Sequence, residues 1–338
     1  MEIDITENPT YRGWNFVLDK STQGNYQQTF EYGEVIKKAH PRTRVMRLSA
    51  LVNDNPIGVV QGIYRTRFFL GSQMIVGGVS GGAPLTSLKN PEEKMIVTES
   101  LLRNLEKYAR KNRVIEARIY WTAKWGMWEI FDKLGYKIAR QIDVFTVNLR
   151  KTPEELWSSI AHNMRRKVKQ AVKSDVKVEE AKNREDLQTF YFMLAASGKR
   201  AGFNPPPMEE FSAEWKIFGA RNMVKLFLAK LEEKPVAGAF ILTHRKTMYA
   251  TAAGSQKWAW RTRPNDYLHW KIIEWGSQHG FHYYCMGSGL TPGISRWKKE
   301  YGGNLVRIYN FDKVFFPKMK KASSMIYGTL LALRRQIG

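Results

Sequence analysis

IFDKLGYK, from Ile130 to Lys137, and SRWKKEYGG, from Ser295 to Gly303, decide the fold of this chain. Each reads as a short helix stopped by a glycine, and each runs straight into a strand, KIARQIDVFTVNL in the first case and LVRIYNFDKVFF in the second. Working outward from the first, the spacing predicts strands at RVMRLSALV, IGVVQGIYR and RFFLGSQMIVGG. A helix follows over NPEEKMIVTESLLRNLEKYARKN, where Met95, Leu101, Leu102, Leu105 and Tyr108 recur at helical spacing, and then a strand at VIEARIYW. Working outward from the second, the same order returns as strands VKLFLAKL, VAGAFILT and MYATAAGS, the helix PNDYLHWKIIEWGSQHG and the strand FHYYCMG. Two units with one element order predict two similar domains, 1–150 and 151–338. The boundary falls where Thr152-Pro-Glu-Glu opens a helix. LWSSIAHNMRRKVKQAVK and REDLQTFYFMLAASGKR read as two helices opening the second half. Three strands, helix, strand, helix, strand make a mixed sheet flanked by helices, the α/β class.

Composition bounds the function. The chain has 338 residues and 43% hydrophobic content, enough to bury a sizeable core, which excludes global disorder. It carries 54 Lys and Arg against 31 Asp and Glu, a net +23 that predicts attraction to polyanions: nucleic acid, diphosphate substrates or an acidic membrane face. A single cysteine, Cys285, excludes internal disulfides and Cys-cluster metal sites and fits a reducing compartment. MEIDITENPTYRGW lacks the apolar core of a signal peptide and no apolar run is long enough to span a bilayer, so the expectation is a cytoplasmic protein. From Leu290 to Gly338 there are ten basic residues against two acidic. SSMIYGTLLALRRQIG therefore reads either as an end helix packed on its own domain or as a peripheral contact with an acidic membrane.

The turn IFDKLGYK resembles the aromatic-x-x-Leu-Gly-aromatic turn that closes GNAT acyltransferase domains. NYQQTFEYGEVIKK, NMRRKVKQA, GKRAGF, MYATAAGS, RTRPNDYLHWKIIEWGSQHG and SRWKKEYGG stand in the order and spacing of the Fem (FemABX) aminoacyltransferases, which are built of two tandem GNAT-like domains. BioF2-like acyltransferases share much of this pattern. The resemblance implies amide-bond formation: an amino acid passes from aminoacyl-tRNA to an amine of a UDP- or lipid-linked muropeptide precursor, with no cofactor and no metal. The long helical arm of some relatives is absent between Met164 and Phe190. Two other readings stay open, an N-acyltransferase using acyl-CoA or an acyl carrier, and a noncatalytic basic nucleic-acid-binding protein.

Candidate site residues follow from motif and charge. GNAT loops that cradle a pyrophosphate are glycine-rich, whereas SQKWAWRTRPNDY has no glycine after Ser255, and Pro264 removes one N–H donor. Arg261 and Arg263 remain as phosphate ligands, or else are exposed arginines flanking a helix-opening proline. HNMRRKVKQAVK sets Arg165, Lys169 and Lys173 along one helix face with Arg166 nearby, either a phosphate contact or a solvated face. The resemblance implies an acceptor-phosphate arginine at Arg200 and a pocket-lining tyrosine at Tyr249; a helix-end cation and a core residue are the plainer readings. Cys285 stands where many relatives carry an aspartate. GVSGG (Gly78–Gly82) fits a nucleophile elbow in letters but lacks the following helix, and His279 with His282 lack a flanking carboxylate for zinc.

One lysine is singled out by the repeat. Aligning Gly135 with Gly302 sets Leu134 on Tyr301, Phe131 on Lys298 and Asp132 on Lys299. Lys298 thus falls on an inward slot and Lys299 on a solvent slot, with a one-residue slip placing Trp297 inward instead. A buried lysine requires a partner, so an anionic group, from protein or substrate, is expected nearby. The resemblance implies that Lys298 stabilises the developing oxyanion, with Trp297 and Tyr301 beside it facing substrate.

Overall fold

The computed structural model describes residues 2–65, 72–82, 84–122 and 126–326. In chain order the elements are β1 (Asp4–Thr6), α1 (Tyr11–Lys20), α2 (Phe30–Ala39), β2 (Thr43–Val52), β3 (Asn55–Arg65), β4 (Ser72–Val76), β5 (Leu85–Thr86), α3 (Pro91–Lys111), β6 (Val114–Thr122), α4 (Trp128–Lys133) and β7 (Lys137–Asn148). There follow α5 (Pro153–Ser159), α6 (His162–Lys173), β8 (Lys177–Glu180), α7 (Arg184–Ala201), α8 (Met208–Gly219), β9 (Val224–Leu231), β10 (Lys234–His244), β11 (Thr247–Ser255), α9 (Pro264–Gln278), β12 (Tyr283–Ser288), α10 (Pro292–Glu300) and β13 (Asn304–Val314). The part of the strand read at RFFLGSQMIVGG that covers 66–71, and the C-terminal stretch from 327 onward, lie outside the described residues.

Two compact units emerge, Met1–Ile142 with Arg307–Gly338, and Asp143–Val306. Their sheets follow one plan. In the first unit β2, β3 and β4 form an antiparallel meander, β4 runs parallel to β6, and β13 closes antiparallel on β6. In the second, β9, β10 and β11 form the meander, β11 runs parallel to β12, and β7 closes antiparallel on β12. The strand that ends each repeat in the sequence therefore pairs in the sheet of the other repeat.

Local chemistry explains the helix ends. Asn90 accepts from the amides of Glu92 and Glu93 at 2.9 and 3.2 Å to start α3, and Thr152 with Glu155 forms a reciprocal capping box at α5. Gly135 and Gly302 both lie in the left-handed region, at φ +74° and +75°, and stop α4 and α10 at the equivalent point. In the first unit α3 packs with Val60 on one face of the sheet, and α1 packs with Val59 on the other. In the second, Phe190 and Phe211 of α7 and α8 pack on Phe240. Trp275 of α9 meets Phe227 on the opposite face.

Two helical readings change. The helix expected over 156–173 is broken into α5 and α6, because Ile160 is extended and buried and the Ala161 N–H is taken by the Glu300 carbonyl at 2.8 Å. The proline-rich loop after Arg200 is followed by α8, whose Phe211 and Phe218 recur at helical spacing behind Pro205–Pro207.

Candidate active site

The parallel pairing of β11 with β12 spans only Thr247↔Tyr283, Met248↔Tyr284 and Tyr249↔Cys285. Past that point β11 continues along β10 and β12 bends to β7, so the two strands part and leave a V-shaped gap inside the second unit. Backbone carbonyls beyond the last pair have no strand partner across the gap, and a buried carbonyl must find a donor. Lys298 supplies it. The Lys298 Nζ donates to the carbonyls of Met286 and Ser288, the latter at 2.8 Å. Between them Gly287 turns with φ +74°, and a side chain there would stand 3.7 Å from Nζ.

The inward slot is thus occupied as the repeat predicts: Lys298 is 7% exposed and Lys299 is exposed, while Phe131 is buried and Asp132 exposed at the matching positions. Of the anionic group expected from protein or substrate, the protein supplies no carboxylate among the described residues: backbone carbonyl oxygens hold the amine instead. Without a carboxylate, burial dominates and lowers the Lys298 amine from its ordinary 10.5 to about 8, against a weaker opposing effect of Cys285. An ammonium has three donors, and two are spent on these carbonyls, so one is left beyond them.

A polar network underpins this lysine. Trp297 Nε1 donates to Asp266 Oδ1 at 2.8 Å, and the Tyr301 hydroxyl donates to the Asp266 carbonyl at 2.7 Å. His269, one helical turn along α9, lies edge-on to Trp297 at 4.9 Å and bonds the Tyr284 hydroxyl at 2.8 Å. Burial, then the nearby Lys298 charge, hold the His269 imidazole down at about 3, so it is neutral at physiological pH. Burial raises the Asp266 carboxyl, opposed by the Trp297 N–H and by the charges of Lys167 and Arg263. Asp266, His269 and Tyr284 escaped the sequence reading. The signal was present as two polar residues three apart on the core-facing stripe of PNDYLHWKII.

The other named residues distribute around the second unit. Tyr249 is buried beside Cys285 at the mouth of the gap, and burial raises its hydroxyl far above the usual phenol range. Trp297 and Tyr301 frame Lys298 from its own helix. Arg200 stands apart from them: its guanidinium donates to the Ser255 carbonyl at 2.6 Å and lies over the Trp260 ring. Arg165 is spent on the end of α5, donating to the carbonyls of Trp157 and Ser158. Arg166 bonds Asn163, and Lys169 is exposed. Arg261 and Arg263 are exposed on and after a 3₁₀ turn, Lys257–Thr262, that replaces the glycine-rich loop. That turn folds its amides inward, Ala259 N–H to the Gln256 carbonyl and Arg263 N–H to the Trp260 carbonyl. In the first unit the GVSGG stretch is a tight turn bridged between Gly78 and Gly81, without an elbow helix.

Comparison with known proteins agrees with this geometry. Residues 158–299 match the Acetyltransferase (GNAT) domain family. Over 86 residues the chain is 37% identical to the lipid II:glycine glycyltransferase of Staphylococcus epidermidis, a segment that is 25% of this chain and 20% of that protein. The chain therefore aligns with only a fifth of that relative's length. Among solved structures, FemX superposes with a TM-score of 0.76 at 15% identity, covering 95% of this chain and 99% of that one. A tandem GNAT protein from the clavulanic acid biosynthesis pathway superposes with a TM-score of 0.61 at 10% identity, covering 93% and 98%. The fold is the tandem GNAT fold of acyltransferases. The superposition on FemX accords in fold with the ordered motifs that resemble the Fem family.

Proposed function

We propose that this protein is an aminoacyltransferase that moves an amino acid from aminoacyl-tRNA to an amine of a lipid II-like muropeptide acceptor. The observation that carries the proposal is Lys298, buried at the parting of β11 and β12 with one N–H left for substrate. In aminolysis the neutral amine attacks the ester carbon, the carbonyl oxygen becomes an oxyanion, and the C–O bond to the ribose breaks. The amine's proton ends on the departing ribose oxygen. A buried cation held by protein dipoles stabilises that oxyanion without reorganising, which is where enzymes gain most. The matched glycyltransferase acts, by its name, on lipid II, which supports the acceptor class.

The acyl-CoA reading has less support. A pyrophosphate cradle needs backbone N–H groups turned outward at a helix N-terminus, and here the 3₁₀ turn directs two of them inward while Pro264 contributes none. Among the described residues no helix is long and apolar enough to cross a membrane, so a lipid-linked acceptor would be met at the membrane surface. The test supplies the purified protein with lipid II and either aminoacyl-tRNA or acyl-CoA, and detects the amide by mass spectrometry. Product from aminoacyl-tRNA alone is expected. Product from acyl-CoA alone overturns the reading.

A further inference from the structure

We propose that the 3₁₀ turn Lys257–Thr262 and the outer face of α6 form the seat of a single-stranded RNA 3′ end. The proposal rests on the aminoacyl-tRNA reading above and assigns where that donor's unpaired end lies. Trp258 is 62% exposed and Trp260 44% exposed, two indoles on one turn of chain. Trp260 is held rather than loose: its Nε1 donates to Ser255 Oγ at 3.0 Å, and the Arg200 guanidinium lies 5.4 Å from its ring centroid. Arg200 is itself fixed by the Ser255 carbonyl and by Ser197 Oγ at 2.8 Å.

This turn is tied to α6 by Gln170, whose side-chain amide donates to the Arg261 carbonyl at 2.8 Å. Along α6, Arg166, Lys169 and Lys173 are exposed, and the helix carries no acid. With Lys257 and Arg261 they make a track of five cations, none of which ion-pairs within 4 Å among the described residues. Clustered like charges, though screened by solvent, and exposed indoles both cost the isolated chain free energy. A polyanion with flat apolar faces relieves both, and unpaired nucleotides offer that combination: phosphates for the cations, base faces for the rings.

A bilayer fits this surface less well. Nearly everything α6 presents outward is charged or polar, with Val172 the exposed apolar exception, and the apolar remainder is confined to two indoles, one of them tied back. The turn is linked to the gap through the start of α9. Arg263 ends the turn, and Asp266, three residues on, holds Trp297, the neighbour of Lys298.

The experiment measures binding of the full chain to a fluorescent eight-nucleotide RNA ending in CCA, by anisotropy across salt concentrations. Wild type is compared with Trp258→Ala, Trp258→Phe and the triple variant Arg166→Gln, Lys169→Gln, Lys173→Gln. Trp258→Ala is expected to weaken binding about ten-fold and Trp258→Phe to retain most of it, because one stacked ring is removed or kept. The triple variant should lower the dependence of log Kd on log salt by about 2, three contacts at ~0.7 each. Unchanged melting temperatures confirm folding. If the RNA binds wild type and both the alanine and triple variants equally, the seat is wrong while the tRNA reading stands. If it does not bind wild type, both fall. Loss of phosphatidylglycerol vesicle binding in Trp258→Ala, with RNA binding intact, makes this face a membrane contact and overturns the proposal.

Discussion

Lys298 should titrate near pH 8 in the folded protein, and transfer should fall above that pH. The amine moves from 10.5 to about 8 because burial strips water from the ammonium and no carboxylate stands beside it to compensate. At 1.36 kcal/mol per pH unit this is a preference of about 3 kcal/mol for the neutral form. The sign for stability follows directly. Between about 8 and 10.5 the unfolded chain binds one proton more than the folded one, so this lysine's contribution to stability rises with pH through that window and is flat below it. Activity runs the other way, because only the ammonium stabilises an oxyanion. The acceptor amine must lose its own proton, giving a rising limb, and Lys298 gives the falling limb above about pH 8. Competitive acetylation with isotopic labels, read at the Lys298 peptide, measures the midpoint directly, and kcat from pH 6 to 10 measures the consequence. A Lys298 midpoint at or above 10, or a kcat that stays level from 7.5 to 9.5, refutes the buried environment without a carboxylate partner.

Other outcomes follow from the same geometry. Coenzyme A should show no micromolar binding in a calorimetric titration, because the turn before α9 directs amides inward; a micromolar Kd would restore the acyl-CoA reading. Burial, and then a neighbouring cation, hold His269 near 3 and His244 near 4, so both enter the fold neutral. Their contribution to stability should be lost as pH falls below about 6.5, at up to about 1.4 kcal/mol per pH unit for each imidazole. Urea midpoints between pH 7 and 5 measure this, and a His244→Gln variant with wild-type acid sensitivity would contradict it.

The two units and their shared strand order were legible because each strand and helix carries its own period, and because Gly135 and Gly302 mark the same helix end twice. The exchange of closing strands was not, since β7 and β13 read identically whichever sheet they join. Lys298 was legible as an inward residue from the repeat, but its partners were not: carbonyls left without a β11 partner at Met286 and Ser288 depend on where β11 and β12 part, which no local pattern records. Arg165 shows the converse. Its helix face was readable from spacing, yet the break at Ile160 that turns its guanidinium onto the end of α5 required a contact with Glu300, far along the chain.

The central claim is that one of two adjacent lysines does chemistry because it is buried at the strand gap. Single-turnover transfer from aminoacyl-tRNA to lipid II should slow by on the order of 100-fold or more in Lys298→Met, with an unchanged fold, about the loss seen when one oxyanion donor is removed. Lys299→Met should react at nearly the wild-type rate, since its side chain is exposed on the same helix. Equal losses in the two variants, or no loss in either, would contradict the account.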